Sequence, residues 1–139
     1  MITIPSGNLD DWLAELKPYQ QRTLREFLNS ATPEEAAERW IGATGSKNIV
    51  PFGGILDEKP FWEKFNGEFR KFLCDDDAYI AEKKMLHDES SVSKALLIST
   101  ISASIGATIG FAATILAPAI TLLLFSVAKM GLNAYCRKD

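Results

Sequence analysis

The segment ALLISTISASIGATIGFAATILAPAITLLLFSVA, residues 95–128, decides how this chain is read. Its 34 residues include no Asp, Glu, Lys, Arg or His, whereas the 94 residues before it carry 29 of the 33 acidic and basic side chains. An unbroken α-helix of that length would reach roughly 51 Å at about 1.5 Å per residue. One bilayer crossing takes only ~20 apolar residues. The run is therefore too long for one plain span, and unusually long for a single buried helix in a chain of 139 residues.

Helical projection gives the run two faces. Ile98, Ile101, Ile105, Ile109 and Leu116 share one, and Ser99, Gly106, Gly110, Ala113 and Ala117 share its neighbour. Gly106 and Gly110 form a GxxxG. In a membrane such a small face admits close helix approach, and Ser or Thr hydroxyls bond across the contact. Thr100, Ser104 and Thr108 offer a mildly polar stripe suited to lining a pore. A soluble bundle has the same use for a small face, but it must then cover the run with protein on every side.

Pro118 falls inside the run, after enough residues for one crossing, and proline ends or kinks a helix. Two topologies follow: a hairpin that turns at Ala117-Pro118, or one helix kinked there. Lys83, Lys84 and Lys94 precede the run, and Lys129, Arg137 and Lys138 follow it. Basic flanks stay cytoplasmic, so a hairpin with both ends inside satisfies both. Lys129 lies only about half a span beyond the proline, so it must snorkel, face a lumen or mark an arm that does not fully cross.

The rest of the chain is acidic and reads as helical. Residues 1–94 carry a net charge of −5, which disfavours a nucleic-acid partner. The opening MITIPSGNLDDW lacks the basic and apolar regions of a secretory signal. Ser6-Gly7-Asn8 supplies cap chemistry for a helix near Leu9, with Asp10 and Asp11 in its first turn. A break near Lys17 separates it from a second helix, Pro18 to Ser30. Thr32, Pro33 and Glu35 form a capping-box signature for a third, ended by Gly42.

The connection from Gly42 to Lys59 contains Gly42-Ala-Thr-Gly-Ser-Lys47, similar in composition to a phosphate loop. It lacks the Walker spacing and a preceding strand, so it is read as plain loop. From Pro60, Phe61, Trp62, Phe65, Phe69, Phe72 and Leu73 recur at helical spacing, as a core-facing stripe does. Asp75-Asp76-Asp77 has neither the glycine nor the distal Glu of a calcium loop and reads as the acidic start of a helix over 76–89. His87, the sole histidine, sits near that helix's end. Cys74 and Cys136 lack metal-ligand spacing and read as free thiols in a reducing compartment.

The expected fold is all-α: a helical head, residues 1–90, followed by a hydrophobic helix hairpin, residues 91–139, that inserts into a membrane. The expected protein is a small membrane-acting effector with no catalytic residue, metal or cofactor. It would assemble with itself through Ser99, Gly106, Gly110 and Ala113. Thr100, Ser104, Thr108 and Lys129 would line a pore, Pro118 would form the hairpin turn or kink, and the head would stay in the cytoplasm as sensor or oligomerisation module and as the seat of any protein partner. In general architecture this resembles the hydrophobic-hairpin logic of pore-forming toxins. The alternative is a cytoplasmic, soluble helical interaction module whose hairpin is its own core or that of an oligomer.

Overall fold

A computed structural model describes residues 3–45, 58–87 and 92–137, and every regular element in them is helical. In chain order these are α1 (Leu9–Leu13), α2 (Pro18–Leu28), α3 (Pro33–Trp40), a π-helical turn (Ile41–Gly45), α4 (Glu58–Cys74), α5 (Ile80–His87), α6 (Lys94–Ile109), α7 (Ala113–Met130) and α8 (Leu132–Arg137).

The head helices begin where their caps dictate. Asn8 Oδ1 accepts from Asp11 N at 2.8 Å, and Asp11 Oδ2 accepts from Asn8 N at 3.1 Å. The Thr32–Glu35 box closes the same way, at 3.1 and 2.9 Å. Each box satisfies amides that a helix N-terminus leaves without partners. Gly42 does not stop the third helix, because the backbone widens into the π turn and buries Ile41 and Gly42. The phosphate-loop-like lysine, Lys47, lies outside the described residues.

The aromatic stripe of α4 is core: Phe65, Phe69 and Phe72 are fully buried, and Phe61 and Leu73 nearly so. The three aspartates do not open α5. Asp75 Oδ1 accepts from Asp77 N at 2.9 Å in a turn, Tyr79 adopts φ 54°, and the helix starts at Ile80. Asp side chains that bond their own backbone two residues on favour such a turn over a helical start. His87 is exposed at the helix end.

The uncharged run is a hairpin, but its reversal is at Gly110–Ala112 and not at Pro118, which stays inside α7. Gly106 O accepts from Gly110 N at 2.8 Å and from Phe111 N at 2.9 Å, and Gly110 takes φ 85°. This is a glycine-terminated helix end with a six-to-one bond. A Cβ on Gly106 would meet Phe111 O at 2.4 Å, so Gly106 leaves room for the returning chain. The GxxxG thus builds the turn.

α7 touches α1, α2, α3, the π turn, α6 and α8. Its residues Pro118 to Phe125 are all buried. Eight consecutive positions cover more than two turns, so α7 is enclosed on every side there. Its buried side chains belong to one cluster with Trp12, Leu24, Trp40, Phe65 and Ile105. Residues on both sides of position 90 share that core.

Cys74 and Cys136 are joined by a disulfide, with Cα atoms 5.4 Å apart. The free-thiol reading is corrected, and with it the argument for a reducing compartment. Spacing of 62 residues hid the pair, because α8 reaches α4 only after the hairpin has brought the chain back.

Candidate functional site

The candidate site is built around the first two turns of α7. Proline at position 118 has no N–H, so the carbonyl of Thr114, four residues earlier, loses its helical donor. Gln20 Nε2 of α2 donates to Thr114 O at 3.3 Å, and Trp40 Nε1 of α3 donates to the next carbonyl, Ile115 O, at 2.7 Å. Gln20 is 3% and Trp40 4% exposed. Two buried donors from the head therefore clasp the helix where its ladder is broken. Gln20 is fixed in turn, since its Oε1 accepts from Lys17 N at 3.2 Å.

Beside the clasp lies a groove of about 400 Å³ between the α1–α2 corner and the hairpin. Leu16 and Gln20 form one wall, Ser99, Ser102 and Ala103 the second, and Ala113 and Ala117 the floor. Small side chains make it a trough. Ser102 is 1% exposed, and its hydroxyl is buried with no hydrogen-bond partner. Along the outer side of α6, Ala95, Ser99, Ala103 and Ala107 are all exposed at four-residue spacing. Such a row is a helix ridge low enough for another helix to approach closely.

Of the residues marked from sequence for assembly, Ser99 and Ala113 line this groove, whereas Gly106 and Gly110 belong to the turn. The hydroxyl stripe bonds inside the fold: Ser104 Oγ donates to Thr100 O at 2.7 Å, and Thr108 Oγ1 to Ser104 O at 3.0 Å. Tyr79 Oη lies 3.0 Å from Thr108 Oγ1 and donates to Glu68 Oε1 at 2.7 Å. Burial, reinforced by the Glu68 carboxylate, pushes the Tyr79 phenol up to about 12. Burial raises the Glu68 carboxyl too, but the bonds from Tyr79 and Lys71 outweigh it and hold the group below its usual range. Lys129 is exposed in the last turn of α7, over the Phe125 ring at 5.5 Å. A cation there suits both the ring face and the helix C-terminus.

No group of His, Cys, Asp and Glu suited to hold a metal ion occurs among the described residues. By length and composition α7 is apolar enough to cross a membrane. Comparison with known proteins finds no matching family model, no similar curated protein and no similar solved structure. Gln20 and Ser102 carry no sequence signal of their own. The proline alone pointed to an orphan carbonyl, without naming its donor.

Proposed function

We propose that this protein is a small all-helical interaction module whose apolar hairpin is its own core, and that it assembles with a second copy along the outer row of α6. The observation that carries the first half is the clasp. Donors buried in the head meet the two carbonyls beside the proline, an arrangement that has a use only with α7 housed in the head. The row Ala95, Ser99, Ala103, Ala107 supports the second half. It bears no charge, so two copies meet without like-charge opposition, and small side chains let the backbones close in. The reading assigns no bond-making role to any residue.

A membrane-acting effector is the second reading, favoured by the length and apolarity of α7. Insertion would require the head to release α7 and leave Gln20 and Trp40 without their acceptors. Sedimentation of the intact chain separates the two. The module reading expects a dimer in detergent-free buffer, a monomer for Ala103→Arg, and no co-sedimentation of either with phosphatidylcholine–phosphatidylglycerol vesicles. A monomeric parent chain overturns the assembly half. Co-sedimentation with release of trapped dye overturns the core half and favours the effector.

A further inference from the structure

Of the three buried hydroxyls among the described residues, two bond back into their own helices: Ser104 Oγ donates to Thr100 O at 2.7 Å, and Thr121 Oγ1 to Ala117 O at 2.8 Å. Ser102 does not. Its Oγ has no partner and lies in the wall of the groove between the α1–α2 corner and the hairpin. Solvent does not replace the missing bond, since Ser102 is 1% exposed. A buried hydroxyl without a hydrogen bond is costly, and such a group calls for a partner.

The groove is continuous with the outer row of α6. Ala95, Ser99 and Ala103 of that row belong to its wall, so a second copy docked along the row covers the groove. The rim carries one charge of each sign, Glu15 and Lys17, both exposed at the α1–α2 corner. A two-fold interface brings the same patch of both copies together. A rim with one acid and one base is complementary to itself, Glu15 of each copy facing Lys17 of the other. Between Lys17 and Gln20, which both line the groove, the Tyr19 side chain stands 52% exposed. The other large apolar side chains left outside the core lie elsewhere, Ile80 and Met85 on α5 and Met130 at the far end of α7. Tyrosine joins an apolar ring to a polar tip, and interfaces are enriched in it.

We infer that, in the dimer proposed above and resting on it, Tyr19 of each copy enters the groove of the other, its ring over Ala113 and Ala117 and its phenol toward the Ser102 hydroxyl. The size fits. The groove measures about 400 Å³. At roughly 30 Å³ per water-sized atom it has room for about a dozen non-hydrogen atoms, enough for a tyrosine side chain. A ring laid on small side chains takes apolar area of both copies out of water. Phenol and serine hydroxyls each donate and accept, so the two can pair. A second copy held by the α6 row alone would leave the groove empty and Ser102 without a partner.

Sedimentation equilibrium of the oxidised intact chain tests this through the dimer dissociation constant. Tyr19→Ala, an exposed change that leaves the core intact, should weaken the dimer at least tenfold. Tyr19→Phe and Ser102→Ala should each weaken it roughly two- to tenfold, the worth of one hydrogen bond, and the double variant no more than either alone. Ala113→Leu, which fills the groove from its partly buried floor, should weaken it at least tenfold. Mixed in equal amounts, with one of them fluorescently labelled, the Tyr19→Ala and Ala113→Leu chains should form a heterodimer tighter than either homodimer, since one intact tyrosine then meets one open groove. A Tyr19→Ala chain that dimerises like the parent overturns the inference and leaves the α6-row dimer standing. So does a mixture that gives no heterodimer, or a double variant whose losses multiply. A monomeric parent chain overturns both.

Discussion

α6 and α7 are adjacent arms of one uncharged run, yet their surroundings differ. In α7 every residue from Pro118 to Phe125 is buried, whereas in α6 the buried Leu97, Ile98, Ile101 and Ile105 share one side, with Ala95, Ser99, Ala103 and Ala107 exposed on the other. Bulk explains the division. Five of the eight enclosed residues of α7, Ile120, Leu122, Leu123, Leu124 and Phe125, each remove a large apolar area from water, while an enclosed Ala or Ser removes little. Absence of charge alone therefore does not specify a membrane. One arm can be a core helix and the other its cover.

Substitutions at matched places should expose that asymmetry. Leu124→Ala, at a fully buried site, should cost about 2–5 kcal/mol in urea unfolding. Ala107→Leu, on the exposed row, should stay within ~0.5 kcal/mol when measured in the monomeric Ala103→Arg background. Equal costs would abolish the distinction between the arms.

The covering of the far end of α7 depends on the disulfide. α8 has no buried residue of its own, and Cys136 ties it to α4 across 62 residues. Cross-linking a loop of that length restricts the unfolded chain. Cys136→Ser, or reduction, should lower stability by about 2–4 kcal/mol. The change should appear as a lower urea midpoint with the helical signal of α7 retained at zero urea.

The glycines give a smaller effect that sharpens the contrast between turn and assembly face. Gly106→Ala places a Cβ against Phe111 O and should cost about 1–3 kcal/mol. Gly110→Ala puts a side chain on a left-handed backbone and should cost about 1–2 kcal/mol. Both should lower stability and leave the dimer's mass unchanged. Loss of association at unchanged stability would return the GxxxG to an assembly role.

Local chemistry was legible where a few neighbouring residues decide it. The Asn8 and Thr32 caps, the Pro18 start of α2 and the aromatic face of α4 stand as the sequence pattern expects. The hairpin was legible but its turn was not. Pro118 is the stronger breaker by intrinsic propensity, yet tertiary donors from Gln20 and Trp40 let the helix pass through it. Gly110 then ends α6 by the ordinary glycine stop, a signal concealed by its place in a GxxxG. The Cys74–Cys136 bond and the meeting of Arg70 with Tyr135 depend on where α8 lands, which no local pattern encodes. Asp75 to Asp77 misled for the opposite reason, because their own backbone bonds outcompeted a helical start.

The central claim is that the head clasps a core helix at the carbonyl freed by its proline, and a double-mutant cycle between Gln20→Leu and Pro118→Ala tests it most directly. In the parent chain Gln20→Leu removes the side-chain donor to Thr114 O, a part-buried bond, and should cost about 0.5–1.5 kcal/mol. In the Pro118→Ala background the restored N–H supplies that donor from within α7, so the same change should cost at least ~0.5 kcal/mol less. The Lys17 contact of Gln20 is present in both backgrounds and cancels. A coupling of that size is the predicted result. An equal cost of Gln20→Leu in the two backgrounds would contradict the clasp.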